Sequence, residues 1–262
     1  MNTLRITCIL IISFLASTAQ AKLVTRSIAY SQDGTALQGY LAYDDALAGK
    51  IPGILVVHEW WGLNSYARGR AEKLAQLGYV AFAVDMYGKG KSTTHPDQAA
   101  AWMKAINSNM GTWQKRAMAG LEILKKQPQV DTNRIAAIGY CFGGATVQVL
   151  AYSGANLKGI VSFHGSLVPP SADQAARTKA KMLICHGAQD PFNKPDALRD
   201  YIIALNASTI DWQLIVLGNT RHAFTNPDAG KYGLSALAYN PLSDRRSWQY
   251  MQYFFKEIFS GR

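Results

Sequence analysis

A cysteine stands in a glycine-rich segment, GYCFGG at positions 139–144, directly after an apolar run. The pattern Gly-x-Cys-x-Gly matches the strand-to-helix turn that presents a catalytic nucleophile, with cysteine in the position usually held by serine. The glycines permit a sharp turn without Cβ clashes, and a helix that starts there adds positive potential that favours a thiolate. The sequence therefore predicts Cys141 as a nucleophile that attacks carbonyl carbon.

An acid and a histidine follow this cysteine in the order that such a turn requires. Asp190 stands in HGAQDP at 186–191, and His222 stands in NTRHAF at 219–224, each shortly after an apolar segment. Taken alone, Asp190 is equally explained as a turn former and His222 as an ordinary loop histidine. Their joint occurrence in this order favours a triad in which His222, oriented by Asp190, moves the proton of Cys141.

Three further histidines, His58, His164 and His186, also follow predicted strands. Their single spacing gives no metal-ligand pattern, and we interpret them as hydrogen-bonded framework side chains. The chemistry predicted for the cysteine needs neither a metal ion nor an organic cofactor, so we predict none.

Alternating strands and helices must position these residues. An antiparallel hairpin is predicted at 24–30 and 37–43, with a turn at Asp33-Gly34. Strands are then predicted at 54–57, 79–84, 135–138, 159–163, 182–185 and 212–216, and helices at 66–77, 98–106, 113–126, 145–152, 195–205 and 244–259. This alternation indicates an α/β fold with a mainly parallel central sheet and helices on both faces. Ligands bind such sheets beyond the carboxyl ends of the strands, where the candidate residues stand.

Five ordered segments together resemble the dienelactone hydrolase family. They are HEWWG at 58–62, DMY at 85–87, GYCFGG at 139–144, HGAQD at 186–190 and HAF at 222–224. The resemblance spans almost the whole chain after residue 21 and implies an α/β-hydrolase fold. It also implies that Cys141, His222 and Asp190 form the triad and that the substrate is a small carboxylic ester or lactone.

The resemblance implies roles for three further residues. Glu59 would hold the resting thiol by a hydrogen bond and release it when substrate enters; alternatively, it is a buried structural carboxylate. The backbone N–H groups of Trp60 and Phe142 would form the oxyanion hole. Hydrolysis would then proceed through a thioester on Cys141.

The predicted substrate pocket departs from the family pattern. Where family members that open dienelactones carry two arginines, this chain has Lys89 and Asn226, and neither supplies a planar bidentate cation. Lys89 and Arg221 could attract an anionic ester or could be solvated surface cations. The aromatic candidates for the pocket walls are Trp60, Trp61, Tyr87 and Phe224. They favour an apolar or aromatic acyl group, although such rings can equally pack the loops down.

Length and composition indicate one domain that follows an export signal. The 262 residues are 48% hydrophobic, which suits a single core in a domain at 22–262. Residues 1–21 combine Arg5, a short apolar run and Ala19-Gln20-Ala21, which predicts a signal peptide cleaved after Ala21 and a periplasmic or secreted protein. The run is too short to span a membrane, so no membrane insertion of the mature chain is predicted. The formal charge of +10 is dispersed, which favours a solvated surface over nucleic-acid binding.

Two other functional classes remain open at this point. A hydrolase-fold protein could bind a ligand without turnover, although all three triad residues are present. A thiol redox protein could use Cys141, although no second cysteine is near it in the sequence. Cys141 and Cys185 could also form a disulfide, but Cys185 lies in a predicted buried strand. The sequence predicts a small-molecule substrate as partner and no particular oligomeric state.

Overall fold

Eight strands form one sheet in the computed structural model, which describes residues 22–260. The strands are β1 (Leu23–Gln32), β2 (Thr35–Asp44), β3 (Ile51–Val57), β4 (Val80–Val84), β5 (Val130–Tyr140), β6 (Gly159–Phe163), β7 (Lys181–Gly187) and β8 (Trp212–Leu217). The helices are α1 (Ser65–Gln76), α2 (Pro96–Asn107), α3 (Met110–Lys125), α4 (Phe142–Tyr152), α5 (Ala172–Arg177), α6 (Pro195–Asn206) and α7 (Pro241–Phe259). The predicted signal peptide lies outside the described residues.

The strand order across the sheet is β1-β2-β4-β3-β5-β6-β7-β8. Strands β1 and β2 form an antiparallel hairpin, and β2 also pairs antiparallel with β4. All pairings from β4 to β8 are parallel. The predicted α/β class, with a mainly parallel sheet and an N-terminal antiparallel hairpin, is confirmed.

Helices cover both faces of the sheet because its central strands are apolar on both sides. Strands β4 and β6 are buried along their whole length. On one face, α1 and α7 pack through residues such as Leu74 and Phe255. On the other face, α3, α4 and α6 contribute side chains that include Leu121, Leu150 and Tyr201. All parallel strands therefore end at one edge, from which the site loops emerge.

The structure extends the prediction in two places. Strand β5 starts at Val130, five residues before the predicted strand, because Val130 and Asp131 pair with the start of β3 before a register shift between Pro52 and Gly53. The short helix α5 was not predicted. A capping box between Ser171 and Gln174 starts it, but only Ala175 of its six residues is buried, so no apolar stripe marks it in the sequence.

Arg70 of α1 joins the loop after β8 to the last helix. Its guanidinium donates hydrogen bonds to the carbonyl oxygen of Thr225 and to Asp244 Oδ1, the latter at 2.8 Å. It also lies over the rings of Tyr140 and Trp248, at 5.3 and 5.4 Å from their centroids. A buried guanidinium with a carboxylate, a carbonyl and two aromatic faces is well compensated, and it fixes the three segments relative to each other.

Within residues 22–260, no helix combines the length and the apolar character that a membrane crossing requires.

Candidate active site

Cys141 occupies a strained turn between β5 and α4. Its φ and ψ are 55° and −117°, a region that residues with a side chain rarely adopt. The turn is held by a hydrogen bond of 3.0 Å from the Cys141 N–H to the carbonyl oxygen of Phe163. A Cβ on Gly139 would overlap the carbonyl of Gly143, and a Cβ on Gly143 would overlap that of Val57. The glycines predicted to permit the turn are thus required by close backbone approach.

His222 and Asp190 form a buried pair at the same edge of the sheet. His222 Nδ1 donates to Asp190 Oδ2 at 2.8 Å, and the two residues are 3% and 4% exposed. Asp190 Oδ2 also accepts from Asn193 Nδ2 at 3.3 Å, and its Oδ1 accepts from the Phe192 N–H at 2.9 Å. These contacts fix the imidazole with Nε2 directed away from Asp190. Sequence reasoning missed Asn193, whose only signal is its place three residues after the acid.

Cys141 and His222 line the same cavity. Nε2 of His222 is buried and makes no hydrogen bond of regular geometry within residues 22–260, yet the sulfur is near enough to act on it electrostatically. Burial by itself lowers the pKa of His222, but Cys141 and Asp190 outweigh it and raise the pKa to about 10. The protonated imidazole is therefore stabilised between the sulfur of Cys141 and the carboxylate of Asp190.

Two backbone N–H groups beside the cysteine are available to a ligand. Those of Trp60 and Phe142 have no backbone acceptor among residues 22–260. Gly143 brings the start of α4 against the end of β3, because only hydrogen stands between its Cα and the carbonyls of Val57 and His58. This approach sets the loop that contains Trp60 close to the first turn of α4.

Glu59 faces Asn226 in this structure. Asn226 Nδ2 donates to Glu59 Oε2 at 2.6 Å, and the side chains belong to residues that are 2% and 1% exposed. No hydrogen bond from Cys141 to Glu59 is present in the part of the chain that the structure describes. Burial raises the pKa of Glu59 from 4.5 to about 7, although the hydrogen bond from Asn226 opposes the rise. The predicted hydrogen bond between Glu59 and the thiol is thus replaced here by one with Asn226.

The raised pKa of Glu59 predicts a pH-dependent stability. The folded state keeps the Glu59 proton up to about pH 7 and the unfolded chain loses it near 4.5, so unfolding becomes easier as pH rises through this window. Glu59→Gln removes this contribution, and its free energy of unfolding relative to wild type should rise by about 3 kcal/mol between pH 4.5 and 7. Urea denaturation across this range measures it. Glu122→Gln, at an exposed position of α3, is the control, and parallel curves for all three proteins would contradict the prediction.

The aromatic side chains predicted as pocket walls lie elsewhere, with the exception of Trp60, which lines the cavity. Trp61 is 1% exposed and stacks on Tyr232 with 3.9 Å between ring centroids. Tyr87 stacks against the ring of Phe142 and does not line the cavity. Phe224 is fully buried in the core. Residues that are neighbours in a loop point in different directions, so proximity in sequence to a catalytic residue does not place a side chain in its pocket.

The two polar residues predicted for the pocket also lie outside the cavity lining. Lys89 is exposed, and its N–H donates to the carbonyl of Ala36. Asn226 is turned to Glu59. The lining residues that the sequence did not indicate come from distant segments: Met103, Ser166, Phe192 and Leu237. Three of them are apolar, a residue class that gives no chemical signal in a sequence.

The other histidines after strands have different surroundings. His58 bonds to two backbone groups, and His164 bridges the N–H of Cys141 at 3.1 Å and the hydroxyl of Thr225 at 2.6 Å. Burial lowers the pKa of His164 well below its usual value, and the charge of His222 acts in the same direction. Nδ1 of His186 is buried and has no partner within residues 22–260.

Cys141 and Cys185 are both free thiols in the described part of the chain. Cys185 lies in β7 and is fully buried, which raises the pKa of its thiol, whereas Cys141 is partly exposed. Within residues 22–260 no group of three or more His, Cys, Asp or Glu side chains is arranged to hold a metal ion.

Comparisons with known proteins identify the family of this chain. The model of the dienelactone hydrolase family matches residues 37–259. The crystal structure of a dienelactone hydrolase-like promiscuous phosphotriesterase from metagenomic libraries has a TM-score of 0.87 and 38% identity, and the match covers 90% of this chain and 98% of that one. Protein usf of Aquifex pyrophilus is 28% identical over 235 residues, which are 88% of this chain and 97% of that protein.

A more distant match shows the same fold. The dienelactone hydrolase of Anabaena variabilis is 18% identical with a TM-score of 0.62, and the match covers 88% of this chain and 98% of that one. Because the family model spans nearly all of the described residues, this chain belongs to the dienelactone hydrolase family.

Proposed function

We propose that this protein hydrolyses small carboxylic esters or lactones through a thioester on Cys141. The observation that carries the proposal is the meeting, in one cavity, of a cysteine at a turn of positive φ and a histidine bonded to a buried aspartate. Membership of a hydrolase family supports it. Thiol, imidazole and carboxylate in this order form the arrangement that nucleophilic acyl transfer requires.

Acylation uses the pair of Cys141 and His222. The thiol proton passes to His222 Nε2, the sulfur attacks the carbonyl carbon, and the carbonyl electrons move to oxygen. The N–H groups of Trp60 and Phe142 stabilise this negative oxygen. As the intermediate collapses, the bond to the leaving oxygen breaks and His222 returns the proton to it. The products are a thioester and an alcohol, which in a lactone remains part of the same acyl chain.

Deacylation repeats these steps with water as nucleophile. His222 Nε2 accepts a proton from water as the hydroxide attacks the thioester carbonyl. The same two N–H groups stabilise the second tetrahedral intermediate. The carbon–sulfur bond then breaks, the acid is released, and His222 gives the proton that it took from water back to the sulfur of Cys141. Asp190 keeps Nε2 directed at the reacting atoms throughout and stabilises the imidazolium through its hydrogen bond of 2.8 Å.

Trapping the thioester tests the proposal. Acid quenching during turnover of 4-nitrophenyl acetate should leave one acetyl group on the peptide that contains Cys141, measured by mass spectrometry. Cys185→Ala is the matched control, because Cys185 is the other described thiol and lies buried in β7, and it should acetylate as wild type does. An acetyl group on a different side chain would refute the assignment of the nucleophile.

The same assay separates the two alternative functions. A ligand-binding protein of this fold would release 4-nitrophenol no faster than buffer does. A thiol redox protein would consume hydrogen peroxide at Cys141 but would not sustain ester turnover. Catalytic release of 4-nitrophenol together with the acetylated peptide is the outcome that we expect.

A further inference from the structure

The cavity beside Cys141 has mainly apolar walls. Its volume is about 290 Å³, and apart from Cys141 and His222 the only polar side chain in its lining is Ser166. The remaining lining residues are apolar: Trp60, Met103, Phe142, Phe192 and Leu237. Such walls favour an apolar portion of a substrate, because a polar group buried against them without a partner loses its hydration.

The basic side chains among residues 22–260 lie outside the lining of this cavity. Among residues 22–260, no lysine or arginine lines it. The two buried arginines have other partners, Asp244 for Arg70 and Gln32 for Arg116. Exposed Arg221 donates to a backbone carbonyl. The formal charge of +10 therefore supplies no counter-ion to a substrate carboxylate inside the cavity.

Two buried carboxyls, those of Asp190 and Glu59, lie behind the cavity. Burial opposes ionisation of Asp190, but the hydrogen bond from His222 outweighs burial and lowers the pKa of the carboxyl. Glu59, which is also buried, adds negative charge when it ionises. Neither carboxyl can form an ion pair with a carboxylate on the substrate.

We propose that the substrates are uncharged esters or lactones whose group in this cavity is apolar, and that a carboxylate on this group is rejected. The inference rests on the proposed hydrolytic function and adds a substrate class to it. An apolar group displaces water without electrostatic cost, whereas a carboxylate loses hydration and gains no ion pair. Loss of carboxylate hydration without a compensating ion pair corresponds to at least about a tenfold loss of kcat/KM.

Two 4-nitrophenyl esters of adipic acid test the proposal. One has a free carboxylate at the far end and the other a methyl ester, while the reacting ester and the leaving group are the same. We expect kcat/KM at neutral pH to be about tenfold to a hundredfold higher for the methyl ester. The difference should persist at high salt, because charges inside a cavity are screened much less than charges on the surface.

A lysine placed in the cavity wall should weaken this preference. Met103 is half-buried on α2, and Met103→Lys supplies a cation where Met103→Gln supplies a neutral side chain of similar length. The ratio of kcat/KM for the carboxylate ester to that for the methyl ester should be at least about tenfold higher in Met103→Lys than in Met103→Gln. Exposed Ser166 offers a second position through Ser166→Lys and Ser166→Gln, with folding verified by circular dichroism.

The outcomes distinguish the specificity from the hydrolytic function. Equal rates on the two esters, or a faster rate on the carboxylate ester, would overturn the specificity and leave hydrolysis intact. A ratio that neither lysine changes in folded protein would overturn it as well. If folded wild type hydrolyses neither ester and shows no acetylated Cys141 with 4-nitrophenyl acetate, the proposed function and the specificity both fail.

Discussion

Cys141→Ala is expected to lower kcat/KM for 4-nitrophenyl acetate by at least about four orders of magnitude. The change removes the attacking atom but keeps the residue small, so the turn between β5 and α4 keeps its conformation and its N–H donors. Cys141→Ser should retain more activity than Cys141→Ala and still fall by roughly a hundredfold or more, because a hydroxyl holds its proton more tightly than a thiol. Initial rates of 4-nitrophenol release measure both.

The Cys141 variants need a control for thiol chemistry in general. Cys185→Ala removes the buried thiol of β7 and is expected to stay within about twofold of wild type, since Cys185 is fully buried away from the cavity. Undiminished turnover by folded Cys141→Ala would rule out this residue as the nucleophile.

His222→Ala should have an effect nearly as large, of about three to four orders of magnitude on kcat. The residue takes the proton in both half-reactions, but the thiol can still ionise in alkaline buffer. An activated ester should therefore acetylate Cys141 in the variant while hydrolysis of the thioester stalls. A burst of 4-nitrophenol without steady turnover, together with an acetylated protein mass, is the expected observation.

Asp190→Asn tests the orientation of the same imidazole. An amide nitrogen at the position of Oδ2 would donate to Nδ1 and so place the histidine proton on Nε2, where it cannot accept one from the thiol. A loss of about three to four orders of magnitude in kcat is expected. Asp196→Asn, at an exposed position in the first turn of α6, is the matched control and should remain near wild type. Equal activity of the two variants would contradict the role of Asp190.

The sheet could be predicted because strands that are buried on both faces appear in the sequence as continuous apolar runs. Short apolar runs such as that of β4 are typical of strands covered on both faces. The glycines at 139 and 143 are explained by backbone contacts that only glycine permits. The start of β5 at Val130 was missed because the next four residues are polar, and only the first of them, Asp131, pairs with β3. Local composition there does not reveal a pairing that β3 supplies.

The reacting groups were easier to predict than the cavity around them. Cysteine, histidine and aspartate have chemistry of their own, and their order along the chain restricts the possible arrangements. The cavity wall depends instead on how α2 and the segment around Leu237 pack across the end of the sheet. Met103 and Leu237 differ in no visible way from core residues, so only the three-dimensional structure identifies them.

The hydrogen-bond partner of Glu59 could not be predicted from the sequence either, although it is a polar residue. Asn226 stands where an arginine would be expected from the family resemblance, and the sequence shows only that a charge is missing. Its amide reaches a buried carboxyl 167 residues away in the chain. That contact depends on the path of the loop after β8, which Arg70 anchors through the carbonyl of Thr225.

This anchoring by Arg70 has a consequence for the order in which the enzyme matures. The nucleophile turn belongs to β5 and α4, which leave the ribosome well before the last helix, whereas the loop of His222 is fastened through Arg70 to Asp244 near the start of α7. A nascent chain that ends before α7 therefore lacks the carboxylate that completes this anchor. The proposed hydrolysis would accordingly await synthesis of the last helix.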